Sequence, residues 1–175
     1  MIDFTHIDYL KTGNQRQQKA YIELKRLSIL EDLEAYNPIL TGTIPIGIDL
    51  PESDLDIICE CSDHKAFAQI ISSLYSDQPN FQLRIKEWNG LKSVIATFRT
   101  TAFEIEIFGQ NCPTTDQNAY KHMLIEHEIL MEKGDAFKKQ IILLKQNGLK
   151  TEPAFAHLLE LSGDPYTELL KLKAF

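Results

Sequence analysis

The chain has 175 residues, of which 43% are hydrophobic and 25% charged, and its net charge is −7. That size and mix suit one globular domain, or one domain with a small helical appendage. The negative balance excludes non-specific attachment to nucleic acid or to an anionic membrane, since both need a basic face. It leaves open a nucleotide held through a metal ion, which brings its own positive charge.

The first residues, MIDFTHIDYLKTG, have neither the basic start nor the apolar run of a secretory segment. No stretch of the sequence reaches the ~18 apolar residues of a membrane span. The cysteines are three, Cys59, Cys61 and Cys112, an odd count that points to a reducing, cytoplasmic setting. Cys59 and Cys61 lack a second pair at zinc spacing and read as small apolar filler.

In chain order, residues 14–35 carry apolar stripes at helical spacing (Ala20, Leu24, Leu27 and Ile22, Ile29, Leu33), with a break expected near Ser28. Asn37-Pro38 ends the helix, and 38–41 reads as a short strand. Residues 42–53 hold two glycines and two prolines, which predicts a shaped loop. Residues 54–60 read as a strand, after which Ser62 or Asp63 can cap a helix carrying Phe67, Ile70, Ile71 and Leu74. Three strands follow. Phe81, Leu83 and Ile85 alternate with polar residues. Asn89-Gly90 is a hairpin signal, because a type I′ turn needs positive φ at both positions. Residues 91–99 return as a central strand, and Phe103, Ile105 and Ile107 alternate with Glu104 and Glu106. Beyond Gln110 the pattern is helical. Thr114 and Gln117 offer a capping box, Gly134 and Gly148 stop helices, Thr151 can cap a short helix through Phe155, Leu158 and Leu159, and Asp164-Pro165 opens the last. Trp88 and His127 read as packing residues.

These elements predict an α+β fold, a mixed sheet packed on helices over 1–111, followed by a helical subdomain over 112–175. Its chemistry concentrates in GTIPIGIDLPESDLDI, residues 42–57. Asp54 and Asp56 stand at i and i+2 of a strand, so both point to one face, roughly 6.5–7 Å apart along the chain. Such a pair suits the two divalent ions of phosphoryl chemistry, which lie about 3.5–4 Å apart. A third acid would come from the FEIEIF strand if it neighbours the first; Glu106 is the candidate and Glu104 the spare. Gly42 and Thr43 could cradle a phosphate, glycine by letting backbone N–H groups approach it and threonine by adding a hydroxyl. Taken singly, each piece has a plain structural alternative: a turn, a solvated strand face, filler. His122 could face the cleft as a base on the acceptor side, and Lys150 and Glu152 read as a helix start.

Gly42-Thr43, Gly47 and Ser53-Asp54-Leu55-Asp56-Ile57, followed by Ile105-Glu106-Ile107, resemble the nucleotidyltransferase superfamily that includes polymerase-beta-like and antibiotic-modifying enzymes. The likeness covers roughly residues 14–109. The remainder, with Gln117-Asn118-Ala119-Tyr120 and Lys150-Thr151-Glu152-Pro153, resembles bacterial proteins of unassigned activity that pair such a half with a helical tail. The resemblance implies Mg²⁺ or Mn²⁺ on Asp54, Asp56 and Glu106, a nucleoside triphosphate contacted near Gly42, Thr43 and Ser53, and attack on its α-phosphate by the hydroxyl of an acceptor. Two departures stand out. Ile44-Pro45-Ile46 replaces a basic residue that many small relatives carry, so Arg84, Lys86, Lys92, Arg99 or Lys121 would have to meet the triphosphate. The third acid is Glu where Asp is usual. The expected acceptor is a small molecule or a protein hydroxyl; the acidic charge disfavours a long nucleic acid. The alternative is a catalytically inactive module that binds a nucleotide or a partner protein, such as a toxin–antitoxin component.

Overall fold

Asn14 opens the first long helix, α1 (Gln15–Leu27), through a reciprocal capping box: its side chain accepts from the Gln17 N–H, and the Gln17 side chain accepts from the Asn14 N–H. The computed structural model describes residues 2–88 and 90–172; Asn89 of the expected hairpin turn and the Trp88 side chain lie outside the described residues. Ser28 adopts the left-handed conformation (φ 53°, ψ 26°) and breaks the helix where the two apolar stripes diverge, before the short α2 (Ile29–Asp32).

Five strands follow: β1 (Ile39–Thr41), β2 (Leu55–Glu60), β3 (Gln82–Trp88), β4 (Leu91–Arg99) and β5 (Glu104–Gln110). Helix α3 (His64–Tyr75) lies between β2 and β3 and is capped by Asp63, whose side chain accepts from Lys65 and Ala66. The strand order is β1-β2-β5-β4-β3. Among the described residues only β2 and β5 run parallel; α3 and the β3–β4 hairpin supply the long connection that a parallel pair requires. The sheet is therefore mixed, and β4 is interior, as its apolar middle predicts.

After β5 the chain is helical: α4 (Asn118–Gln146), α5 (Thr151–Leu158) and α6 (Pro165–Lys171). Gly134 (φ 74°, ψ −171°) is non-helical and bends α4, matching the stop expected there. The capping box expected at Thr114 does not form. Gln117 turns its amide inward and donates to the carbonyls of Cys59 (2.9 Å) and Cys112 (3.0 Å). Those carbonyls lie at the end of β2 and just past β5, where strand pairing runs out, so the Gln117 amide satisfies backbone acceptors that would otherwise be left buried without a donor. No helix among the described residues is long and apolar enough to cross a membrane.

Strand alternation divides the sheet into two chemically distinct faces. Leu55, Ile57, Cys59, Val94, Ala96, Ile105 and Ile107 are fully buried on one face, together with Ala20 and Leu24 of α1 and Phe67 and Ile71 of α3. Asp54, Asp56 and Glu106 occupy the other. A second apolar cluster joins Met123, Ile141, Phe155 and Leu169 of the helical half to Ile46 and Ile48 of the 42–54 loop. Ile44 of the same loop belongs to the first cluster, so three isoleucines within five residues anchor the loop in both.

Ile48 is fully buried. Ile48→Ala should lower unfolding stability in urea by roughly 2–5 kcal/mol, and hydrogen exchange should speed up across 42–54 as well as in α4.

Candidate active site

Residues 42–54 leave β1 at Gly42 and deliver Asp54 to the start of β2. Their path is fixed by side chains from outside the loop. The Arg16 guanidinium donates to the carbonyls of Pro51 (2.8 Å) and Ser53 (2.9 Å), lies 4.4 Å from the centre of the Phe103 ring, and reaches Asp49 at 3.7 Å. The Gln17 amide donates to the carbonyls of Ile44 and Pro45, both at 2.9 Å. The Lys145 ammonium donates to the Ile48 carbonyl at 2.7 Å. Inside the loop, Ser53 Oγ accepts from the Leu50 N–H (2.9 Å) and from the Thr43 hydroxyl (3.4 Å). Ser53 and Thr43 thus hold the loop's shape while lining the cleft beside the acids.

Asp56 and Glu106 are Cα partners across the parallel β2–β5 pair, which puts their side chains on one face, about one strand spacing (~4.8 Å) apart. Asp54 precedes β2 by one residue and lies on the same side. The FEIEIF strand is therefore the neighbour of the acidic strand. Glu104, the spare acid, is exposed and ion-paired to Arg99 at 3.1 Å. By contrast, no ion pair or hydrogen bond joins the Asp54, Asp56 or Glu106 side chains to any described residue. Gly42 holds φ +81°, and a Cβ on it would come within 2.3 Å of Asp56 Oδ2. The glycine is thus required twice, by its backbone and by the carboxylate packed against it.

The electrostatics follow from crowding. Burial raises the Asp56 carboxyl to about 8, and the charges of Asp54, Glu106 and Glu152 add to the rise. Burial also raises Asp54, with Glu104 contributing. Glu106 is raised by burial and by Asp54, against a pull downward from Arg84 and Lys86. Of the five basic residues named from the sequence, Lys86 lines the cleft. Lys92, Arg99 and Lys121 are engaged by Glu87, Glu104 and Asp116.

The cleft holds about 1250 Å³ between this sheet face and the helical half. Its far wall carries His122, Glu126, Lys145 and Glu152. Sequence reasoning missed the last three, and also Arg16 and Gln17, because their roles arise only when α1, α4 and α5 are brought against the loop. One signal was available: polar residues such as Glu126 and Lys145 standing where helical spacing places apolar neighbours. His122 is buried, with Nδ1 3.3 Å from Glu152 and Nε2 3.0 Å from the Tyr166 carbonyl. These two contacts make the ring a strut between α4, α5 and α6. It also lines the cleft, where the acceptor-side base role was expected of it. His127 packs edge-on against Phe4, with ring centres 4.9 Å apart, as a packing residue.

Among the described residues, no three His, Cys, Asp or Glu side chains are gathered closely enough to hold a metal ion between them. The donor set is nonetheless the one magnesium prefers, oxygen ligands only. Magnesium completes its shell with water and phosphate oxygens and needs only one or two carboxylates from a protein. Three neighbouring carboxyl groups resist ionising together, and a divalent cation would relieve that conflict.

Two measurements test this geometry. The folded Asp56 value near 8 exceeds the usual 3.8, so between about pH 4 and pH 8 the folded chain holds a proton the unfolded chain has lost. Stability should therefore fall as pH rises through that window in chelator, and Asp56→Asn should raise Tm at pH 8 by roughly 2–4 °C. Arg16→Ala should cost roughly 1–3 kcal/mol in urea unfolding.

The chain belongs to the family described as domain of unknown function DUF4269, whose sequence profile matches residues 22–172. No curated protein matches it in sequence. Among solved structures it is similar to Cid1 poly(U) polymerase bound to MgGTP, with TM-score 0.55 and 15% identity over 76% of this chain and 42% of that one. It is also similar to a cytoplasmic RNA terminal U-transferase (TM-score 0.52, 18% identity, 79% of this chain and 41% of that one). The GLD-2/RNP-8 complex gives TM-score 0.55 at 11% identity, covering 91% of this chain and 65% of the matched one. The chain spans about two-fifths of the first two. The likeness is one of fold, and the fold is nucleotidyltransferase-like.

Proposed function

We propose that this chain, from that family and with that fold, is a metal-dependent nucleotidyltransferase that moves a nucleoside monophosphate from a triphosphate to a hydroxyl of a small molecule or protein. The observation that carries the reading is the alignment of Asp56 with Glu106 on adjacent parallel strands. With Asp54 they lie on the polar face of the sheet, inside a cleft, and no ion pair joins them to any described residue. Acids that merely solvated a strand would point outward or, like Glu104, find an arginine.

In this reading Asp54, Asp56 and Glu106 hold Mg²⁺ or Mn²⁺, which supplies charge neutralisation for the phosphates and polarises the α-phosphate. The cleft also offers Gly42 and Thr43 to the phosphate oxygens, with Ser53 keeping Thr43 in place, and Lys86 takes the role of the basic residue absent from Ile44-Pro45-Ile46. Glu106 accepts the proton of the acceptor hydroxyl. The acceptor oxygen forms a bond to the α-phosphorus, the bond from that phosphorus to the bridging oxygen breaks, and pyrophosphate leaves with the electron pair. The free thiols of Cys59, Cys61 and Cys112 suit a reducing cytoplasm. The two apolar clusters favour a nucleotidyltransferase-like unit over 1–111 and a helical one over 112–175, with the 42–54 loop bound into both.

A second reading, a module that binds a nucleotide or partner without turnover, draws on the absence of a closed three-acid cation site among the described residues. One panel separates the two. Nucleoside triphosphates with Mg²⁺ or Mn²⁺ should raise Tm, and Asp54→Asn and Asp56→Asn should each abolish at least 90% of that shift. Pyrophosphate release on adding an acceptor supports the transferase; a metal-dependent shift with no release under any acceptor supports the binding module. No shift with any nucleotide sinks the transferase and the nucleotide-binding module, and leaves a module that binds a partner.

A further inference from the structure

The wall of the cleft opposite the acidic strands contains a carboxyl group with nothing to bind. Glu126 of α4 is 4% exposed, lines the cleft, and makes no hydrogen bond or ion pair with any described residue. A carboxyl group withdrawn from water without a partner is a standing cost, and folded proteins rarely keep one without a use for it. Burial raises its carboxyl well above the usual carboxylate range, Glu152 adds to the rise, and Lys145 opposes it. Glu152 is already engaged by His122 at 3.3 Å. Lys145 is 8% exposed and gives one hydrogen bond to the Ile48 carbonyl, which leaves two N–H donors. No ion pair closes the gap between Lys145 and Glu126, although the two attract.

We propose that Glu126 and Lys145 form the acceptor subsite of this cleft, and that they hold a hydroxyl group of a small polyhydroxylated molecule. A hydroxyl donates to the carboxyl and accepts from the ammonium at once, so it satisfies both. An anionic group would meet Glu126, Glu152 and the three acids of the sheet. An RNA chain needs a basic groove along its backbone. Among the described residues the cleft is lined by three lysines and six carboxylates, the reverse of such a groove. The subsite rests on the transferase reading for its role, while the unpartnered carboxyl stands independently of it.

The test uses the whole chain. Glu126→Met and Glu126→Gln should each raise Tm of the free protein, the former by roughly 2–6 °C, because a buried carboxyl without a partner is removed. Both should keep the Mg²⁺–nucleotide shift within a degree of the parent. With a mixture of labelled nucleoside triphosphates and Mg²⁺, label should pass to at least one of ribose, glucose, sorbitol and myo-inositol and not to oligoadenylate. Glu126→Gln should raise KM for that polyol at least tenfold and leave KM for the nucleotide unchanged. A fall in Tm for both variants overturns the subsite by showing the carboxyl to be structural. Labelling of oligoadenylate, or of none of the polyols, overturns the ligand class. If the parent chain shows no nucleotide shift, the transferase reading fails instead, and the sign of the Tm change still decides whether Glu126 is kept for a ligand.

Discussion

The constraint on which the rest of the structure depends is the immobilisation of the 42–54 loop between two apolar cores. Ile44 enters the core beneath the sheet, while Ile46 and Ile48 enter the core of the helical half. Arg16, Gln17 and Lys145 satisfy five loop carbonyls. A loop of this kind would ordinarily leave those carbonyls to water. Here they are bonded from both sides, so the segment that positions Asp54 is held almost as firmly as the strands. The same arrangement explains Ile44-Pro45-Ile46. Where a basic side chain would reach for phosphate, this chain has apolar anchors, and the loop contributes shape instead of charge.

Fixing the loop fixes a conflict. Asp56 is pressed against Gly42 and faces Glu106 across one strand spacing, with Asp54 beside them. Each carboxylate is harder to ionise for being out of water and for being next to the others. Energy of this sort is spent at sites of chemistry more often than in scaffolds. The core face of the same strands shows the contrast: Leu55, Ile57, Ile105 and Ile107 are all fully buried and packed without conflict.

Much of this was legible in the sequence. Period-two alternation located β2 and β5 and sorted their faces, Pro38 and Gly134 marked real breaks, and Asp63 and Asp164 are caps. The acid constellation could be named because strand periodicity alone fixes which side chains share a face. What stayed hidden depends on contacts between distant segments. Gln117 looked like a capping residue, and no local rule reveals that two strand-end carbonyls lie above it. Glu152 looked like a helix start, because its pairing with His122 exists only once α5 lies along α4. No local rule singles out Lys145 and Arg16, because the carbonyls that recruit them belong to a loop 97 and 37 residues away.

The bend at Gly134 has a further bearing on the cleft. Nineteen residues separate position 126 from position 145, and on one straight rod that interval would put them roughly 28 Å apart. Glu126 precedes the bend and Lys145 follows it, so the bend in α4 is what lets a single stretch of chain bring a carboxyl and an ammonium group to the same cleft. Reshaping that elbow offers a way to retune which guests fit while every group that touches the nucleotide stays in place.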